Sequence, residues 1–369
     1  MNPSRRKTLA LIGGGLVAAA ALPAGGFLAT RTPHDALRPW ARAGGYGEPR
    51  RDALSYALLA PSPHNLQPWL AELVGDDGVR LYREPGRRLP ETDPQDRQIT
   101  IGMGCFIELL VLAAGAAGHT AALTLYPEGA DGPVAELRFD AADAAADPLF
   151  AHVAERRSCK EPFEDRALAA QDRAALAAYA RLVTGSGPVA ALRALTSAAW
   201  ELEAGTARTH RESVDLMRFG RREIEAAPDG IDLGGPMLES LMRVGVLTRD
   251  TLLDPDSRAH AQSMEMYREM LAATRAYAVL TSPGNTRADQ IAAGRRWMRL
   301  DLAAAGRGVA LHPVSQCLQE YPEMSAHHAC AHDLLAAPGE TVQMLGRVGY
   351  GPRVAQSPRW ALEERMLHG

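Results

Sequence analysis

The chain has 369 residues, 46% hydrophobic and 23% charged, with a net charge of −4. Those fractions describe a globular protein long enough for two domains and exclude a disordered or fibrous chain. The slightly acidic balance, with basic residues scattered, excludes the concentrated positive surface of a nucleic-acid binder.

Read in chain order, Ser4-Arg5-Arg6-Lys7-Thr8-Leu9 precedes an Ala/Gly/Leu run from Ala10 to Ala29. A charged start, an apolar stretch and small residues describe an export signal over residues 1–29. The paired arginines assign it to the twin-arginine export machinery, which carries folded proteins. The expectation is an exported protein, in the periplasm or at the cell surface. The segment is either cut between Ala20 and Ala29 or kept as a membrane anchor.

Pro61-Ser62-Pro63-His64-Asn65-Leu66-Gln67-Pro68-Trp69 follows. Prolines fix the backbone while Ser62, Asn65 and Gln67 offer donors and acceptors, so the turn reads as one that aims side chains at a ligand. The plainer alternative is a surface turn that buries Trp69. Pro68 to Val74 and Val79 to Arg83 flank Asp76-Asp77-Gly78, the signature of a hairpin. An apolar helix from Arg97 to about Gly118 leads into a strand, Ala121 to Tyr126, closed by Pro127. A further strand is expected over Val134 to Phe139, and Ala141 to Asp147 reads as a linker.

In Glu155-Arg156-Arg157-Ser158-Cys159-Lys160, residues Arg156, Ser158 and Lys160 alternate, so on an extended segment they point the same way. Two cations and a hydroxyl on one face suit a phosphate group. The alternative is a solvated basic turn. Helical patterns cover Leu168 to Leu182, most of Leu192 to Glu225, and Ala261 to Leu280. Glycine and proline breakers between short helices mark residues 217–242 as a lid or as a helical hairpin packed on the core.

A helix opening at Asp289 and closing at Gly306, then a strand from Val309 to His312 closed by Pro313, repeats the earlier helix, strand and proline. Two related halves, 34–147 and 148–369, are therefore expected. Pro313-Val314-Ser315-Gln316 runs from that strand into a helix, where backbone N–H groups are free to meet an electron-rich ligand atom, or where Ser315 caps the helix. A final strand covers Thr341 to Val348. Arg359, and more weakly Arg347, are further candidates for a phosphate. Cys105, Cys159, Cys317 and Cys330 have no metal or redox spacing, and no structural bridge is expected. His328 and His332 share a helix face, but the cluster fits no metal-ligand pattern, so no metal site is assigned.

Together Pro61 to Trp69, Arg156 to Lys160, Pro313 to Gln316 and Gly349 to Glu364 resemble the nitroreductase family of flavin enzymes, in its fused, single-chain Acg-type subgroup. The resemblance implies an α+β fold of two halves forming a pseudo-dimer, with antiparallel or mixed sheets surrounded by helices. It implies flavin mononucleotide (FMN), its phosphate and ribityl chain held by Arg156, Ser158, Lys160 and Arg359. Ser62, Asn65 and Gln67 would face the ring or ribityl, and the backbone of Pro313, Val314, Ser315 and Gln316 the ring. The activity implied is two-step hydride transfer from NAD(P)H or a redox partner to a small nitroaromatic or quinone-like acceptor, in a monomer. The alternative is a flavin-storage protein with a covered flavin. Two departures stand out: the segment with Asn65 precedes the one with Arg156, the reverse of the family's order, and Ser357 replaces a basic residue. A pseudo-dimer explains the order, since one site would draw one segment from each half. His64 and Tyr350 are the candidate proton donors.

Overall fold

Two long helices, Arg97–Ala116 and Arg287–Ala305, cross at the centre of the molecule and carry its main hydrophobic core. The computed structural model describes residues 31–142 and 145–367, so the export-signal assignment lies outside the described residues. From the amino end, α1 (His34–Arg42) and α2 (Pro49–Ala57) lead through the proline-rich turn to β1 (Trp69–Val74) and β2 (Gly78–Arg83). The helix at 97–116 is α3, followed by β3 (His119–Leu125) and β4 (Ala135–Ala141). The second half opens with α4 (Ala170–Ala177), β5 (Arg181–Val183), α5 (Ser186–Gly205) and α6 (Ala207–Asp215). An insertion follows: β6 (Met217–Phe219), α7 (Gly220–Ala226), β7 (Ile231–Leu233), α8 (Pro236–Arg243) and α9 (Arg249–Leu253). Then come α10 (Arg258–Ala272), β8 (Ala276–Ser282), the helix at 287–305 as α11, β9 (Ala310–Pro313), α12 (Ser325–Leu335) and β10 (Thr341–Gly349).

The fold is α+β. One sheet runs β1-β2-β4-β3 and the other β5-β8-β10-β9, each with antiparallel neighbours throughout. In both, two strands precede the long helix and two follow it, so the connectivity is the same. The expected hairpin forms with Gly75-Asp76-Asp77 as its loop and Gly75 at φ +56°. Helix α11 starts with a capping box between Thr286 and Asp289, which satisfies two orphan backbone donors. Helix α3 is the one described helix long and apolar enough to cross a bilayer, and it is buried against α2, β3 and α11.

Three helical expectations need correction. The pattern over 261–280 is not one helix: α10 ends at Ala272 and residues 276–282 form the central strand β8. That strand is buried on both faces, so it shows a continuous apolar run without the alternation of a half-exposed strand. The segment over 168–182 divides in the same way into α4 and the short strand β5. Residues 192–225 are mostly helical, as expected, in parts of α5, α6 and α7 with β6 between the last two. The third correction follows β9: after Pro313 the chain makes only a 3₁₀ turn, Gln316–Leu318.

Candidate functional site

The proline-rich turn is strained where it is most polar. His64, Asn65 and Gln67 have φ of 47°, 55° and 51°, in the left-handed region that side chains avoid. Such strain persists only where surrounding contacts over-determine it, and here they do. Ser62 Oγ accepts from the Gln67 N–H at 3.0 Å, closing the turn on itself. Asn65 Nδ2 donates to Pro358 O at 3.2 Å, and its Oδ1 accepts from Arg359 Nη1 at 2.7 Å. Gln67 Nε2 donates to Pro228 O at 2.6 Å and its Oε1 accepts from the Trp360 N–H at 3.0 Å. The turn thus binds the C-terminal tail on one side and the insertion on the other. Opposite it, Gly102 of α3 leaves room for Ser62 and Pro63: a Cβ there would lie 3.3 Å from Pro63 Cδ.

Arg156 and Arg359 converge on the carboxyl end of α2. Arg359 Nη2 donates to Leu59 O and Ala60 O at 3.2 and 3.1 Å, and Arg156 Nη2 to Leu59 O at 3.3 Å. Arg156 is also paired with Asp301 of α11 at 3.0 Å, with both side chains nearly buried. Arg157 and Arg359 both stack over Trp40, at 4.7 and 5.5 Å. Cationic charge exceeds what these partners neutralise. Burial and then the charges of Arg156 and Arg157 pull Arg359 down to about 9, and burial, Arg156 and Arg353 pull Arg157 down to about 10. The Nε atoms of Arg156, Arg157 and Arg359 are all buried without a hydrogen-bond partner. Three buried Nε donors without acceptors, on guanidinium groups that repel one another, suit a site that an anion completes.

Residues 156–160 lie beside β9: Ser158 bridges Leu311 in parallel, and the Cys159 N–H donates to Leu311 O at 3.1 Å. Lys160 is exposed, with no ion-pair partner among the described residues. Its charge reaches three groups from three parts of the chain: His64 of the turn, His312 of β9 and Asp232 of β7. Burial and then Lys160 hold His64 down to about 4, so its imidazole is neutral at neutral pH and is not an acid there. His312 is lowered too, by burial, Arg347 and Lys160. The structure therefore joins the first-half turn, the basic segment and β9 around one place.

Some expected residues have other tasks. The Val314 N–H donates to Leu345 O at 2.9 Å and is not free for a ligand. Ser315 does not cap a helix; its hydroxyl turns to Leu345 O at 3.3 Å. The N–H groups of Ser315 and Gln316 have no acceptor among the described residues, and Pro313 and Gln316 are partly exposed. Gln67 is fully buried, so it acts from behind the turn and does not face a ligand. Arg347 is a structural residue, donating to the carbonyls of Met270, Cys159 and Glu161. Tyr350 donates to Asp172 at 2.6 Å, which removes it as a proton donor to the turn. Both nitrogens of His332 are engaged, by His328 O and the Val342 N–H, so His332 does not share a metal with His328 in this arrangement.

The insertion covers the turn. Gly230 N–H donates to Asn65 O at 3.2 Å, and Asp229 accepts from Arg87, Arg218 and Trp360 Nε1. Burial opposes the Asp229 charge, but hydrogen bonds from Arg87, Trp360 and Arg218 hold its carboxyl below the usual range. Asp229 and Asp301 were not singled out from sequence. Asp301 had a signal: a charge between Leu300 and Leu302 on an apolar helix face needs a buried cationic partner.

No family model matches the chain. Over 81 residues it is 32% identical to a "Putative NAD(P)H nitroreductase" of Mycobacterium tuberculosis, covering 22% of this chain and 23% of that one. Over 94 residues it is 34% identical to the "Putative NAD(P)H nitroreductase acg" of the same organism, covering 25% and 28%. The matched stretch spans about a quarter of the length of either relative. Among solved structures, the FMN-dependent nitroreductase NfnB from Mycobacterium smegmatis, in complex with NADPH, aligns with a TM-score of 0.36 and 16% identity. That alignment covers 58% of this chain and 94% of NfnB.

Proposed function

We propose that this chain is an FMN-dependent oxidoreductase of the nitroreductase kind, a fused pair of halves with one flavin site per monomer. The observation that carries the reading is the cluster of Arg156, Arg157 and Arg359, with buried, unpartnered Nε atoms, beside the accessible Ser158 and Lys160. The likeness over a quarter of two named nitroreductases and the equal connectivity of the two sheets support it.

In this reading Lys160, Ser158, Arg156 and Arg359 hold the phosphate and ribityl chain. Ser62 and Asn65 face the ribityl or ring, and the Ser315 and Gln316 N–H groups face the ring. Gln67 and Val314 keep those groups in place. Bound there, FMN supplies two-electron chemistry between NAD(P)H or a redox partner and a nitroaromatic or quinone-like acceptor. His64, neutral at neutral pH, shapes the wall of the site, and solvent supplies protons. Residues 1–29 direct the folded chain through the twin-arginine route.

The latch at Asp229 favours a second reading, a flavin-storage protein whose cover stays closed. Spectroscopy separates the two. The purified full chain should be yellow, bleach under anaerobic NADPH and recover its colour with a nitroaromatic. Flavin that bleaches with neither NADPH nor dithionite means storage; a colourless protein that takes up no added FMN ends both readings.

A further inference from the structure

The insertion gathers three of the six large apolar side chains that are exposed among the described residues into one short stretch. Met237, Val244 and Val246 are 54%, 70% and 46% exposed, on α8 and the turn that follows it. The N–H groups of this turn are satisfied from within. The N–H groups of Val244, Gly245, Val246 and Leu247 donate to the carbonyls of Ser240, Met242, Leu241 and Leu241, at 3.0 to 3.3 Å. Gly245, at φ +71°, makes the reversal possible. An exposed apolar turn whose N–H donors are already paired suits a membrane interface, because unpaired donors are what a nonpolar medium excludes.

The path of the chain says what covers it. Arg31, the first described residue, pairs through Nη1 with Glu239 of α8 at 2.9 Å. The sequence just before it holds the apolar run from Ala10 to Ala29. The chain therefore enters the described fold at α8, two residues after the apolar run ends in the sequence, and beside the exposed apolar side chains. We infer that α8 and the turn at 244–247 form a face that rests on a lipid bilayer, with Met237, Val244 and Val246 entering its interface. Arg243 is exposed between the apolar positions, and its long stem lets the charge lie at headgroup level. The inference stands apart from the flavin reading and needs no cofactor.

The test uses the full chain in vesicles of phosphatidylethanolamine and phosphatidylglycerol. In a Cys330→Ser background, which removes the exposed thiol, an environment-sensitive fluorophore is attached to Val244→Cys or, as a control, to Asp131→Cys in the exposed turn before β4. The label at 244 should be quenched at least threefold more by lipid-borne nitroxide than by iodide, with the reverse at 131. Adding Val246→Asp should at least halve the lipid quenching at 244. Equal behaviour at the two positions overturns the inference. So does a label at 244 that is shielded from iodide yet untouched by lipid nitroxide, which would mean a second copy or another protein covers the face.

Discussion

Gly104 of α3 and Gly294 of α11 face each other where the two long helices cross. A Cβ on Gly104 would lie 2.3 Å from Ile291 O, and one on Gly294 would lie 2.0 Å from Ile101 O. The contact is reciprocal: each glycine meets the carbonyl three residues before the other. Gly102, two residues earlier on α3, serves the proline-rich turn instead.

Gly104→Ala and Gly294→Ala should each destabilise the fold by about 3 kcal/mol, because backbone, not a flexible side chain, must move. The double variant should cost less than the sum, since one displacement of the helices relieves both clashes. Denaturant unfolding of the two single variants and the double variant measures this, and loss within 1 kcal/mol for either single change would contradict the close approach.

On the proposed flavin reading, Lys160 contacts the phosphate and not the ring. Lys160→Met should weaken FMN roughly tenfold, the scale of one charge-assisted hydrogen bond, and leave riboflavin within about twofold. Equal weakening of both ligands would take Lys160 away from the phosphate.

Asn65 and Arg156 come from opposite halves, so Asn65→Ala and Arg156→Ala should each lower the flavin content of the purified protein. Absorbance against protein concentration gives the answer. A full complement in one of them would leave the site within a single half.

Asp229→Asn should loosen the cover. The carboxylate accepts from Arg87, Arg218 and Trp360, and an amide cannot accept as many of these bonds with the same charge assistance. Hydrogen exchange of amides 228–233 should speed up about tenfold while β8 and β10 stay unchanged. If the enzyme reading holds, turnover by NADPH should rise with it.

Two buried groups set opposite pH dependences. His64 is lowered from 6.5 to about 4 in the folded chain, so its stability contribution is complete above pH 6.5 and falls away as pH drops towards 4. His64→Gln should flatten that part of the curve. Glu203 is raised from 4.5 to about 7, by burial and then the charge of Glu212 against a hydrogen bond from Gln319. Its contribution is complete below pH 4.5 and is lost as pH rises through 7. Glu203→Gln should therefore gain thermal stability over the parent at pH 8 and not at pH 4.5, measured by Tm at both.

The sequence by itself determined the local elements that announce themselves through pattern: the hairpin, helices α3 and α11, and β9 and β10. It picked out Ser62, Asn65, Arg156, Ser158, Lys160 and Arg359 as chemistry in search of a ligand. Only the tertiary structure decided which of them meet. Strand β8 was hidden because burial on both faces erases the period of two, and with it went the centre of the second sheet. Arg347 and Arg359 look alike along the chain, yet one is fixed by carbonyls of Met270, Cys159 and Glu161 while the other reaches Asn65. Local sequence sets backbone preference within a turn or two. The partners of a buried charge, Asp301 for Arg156 or Trp360 for Asp229, come from wherever the packed core brings them.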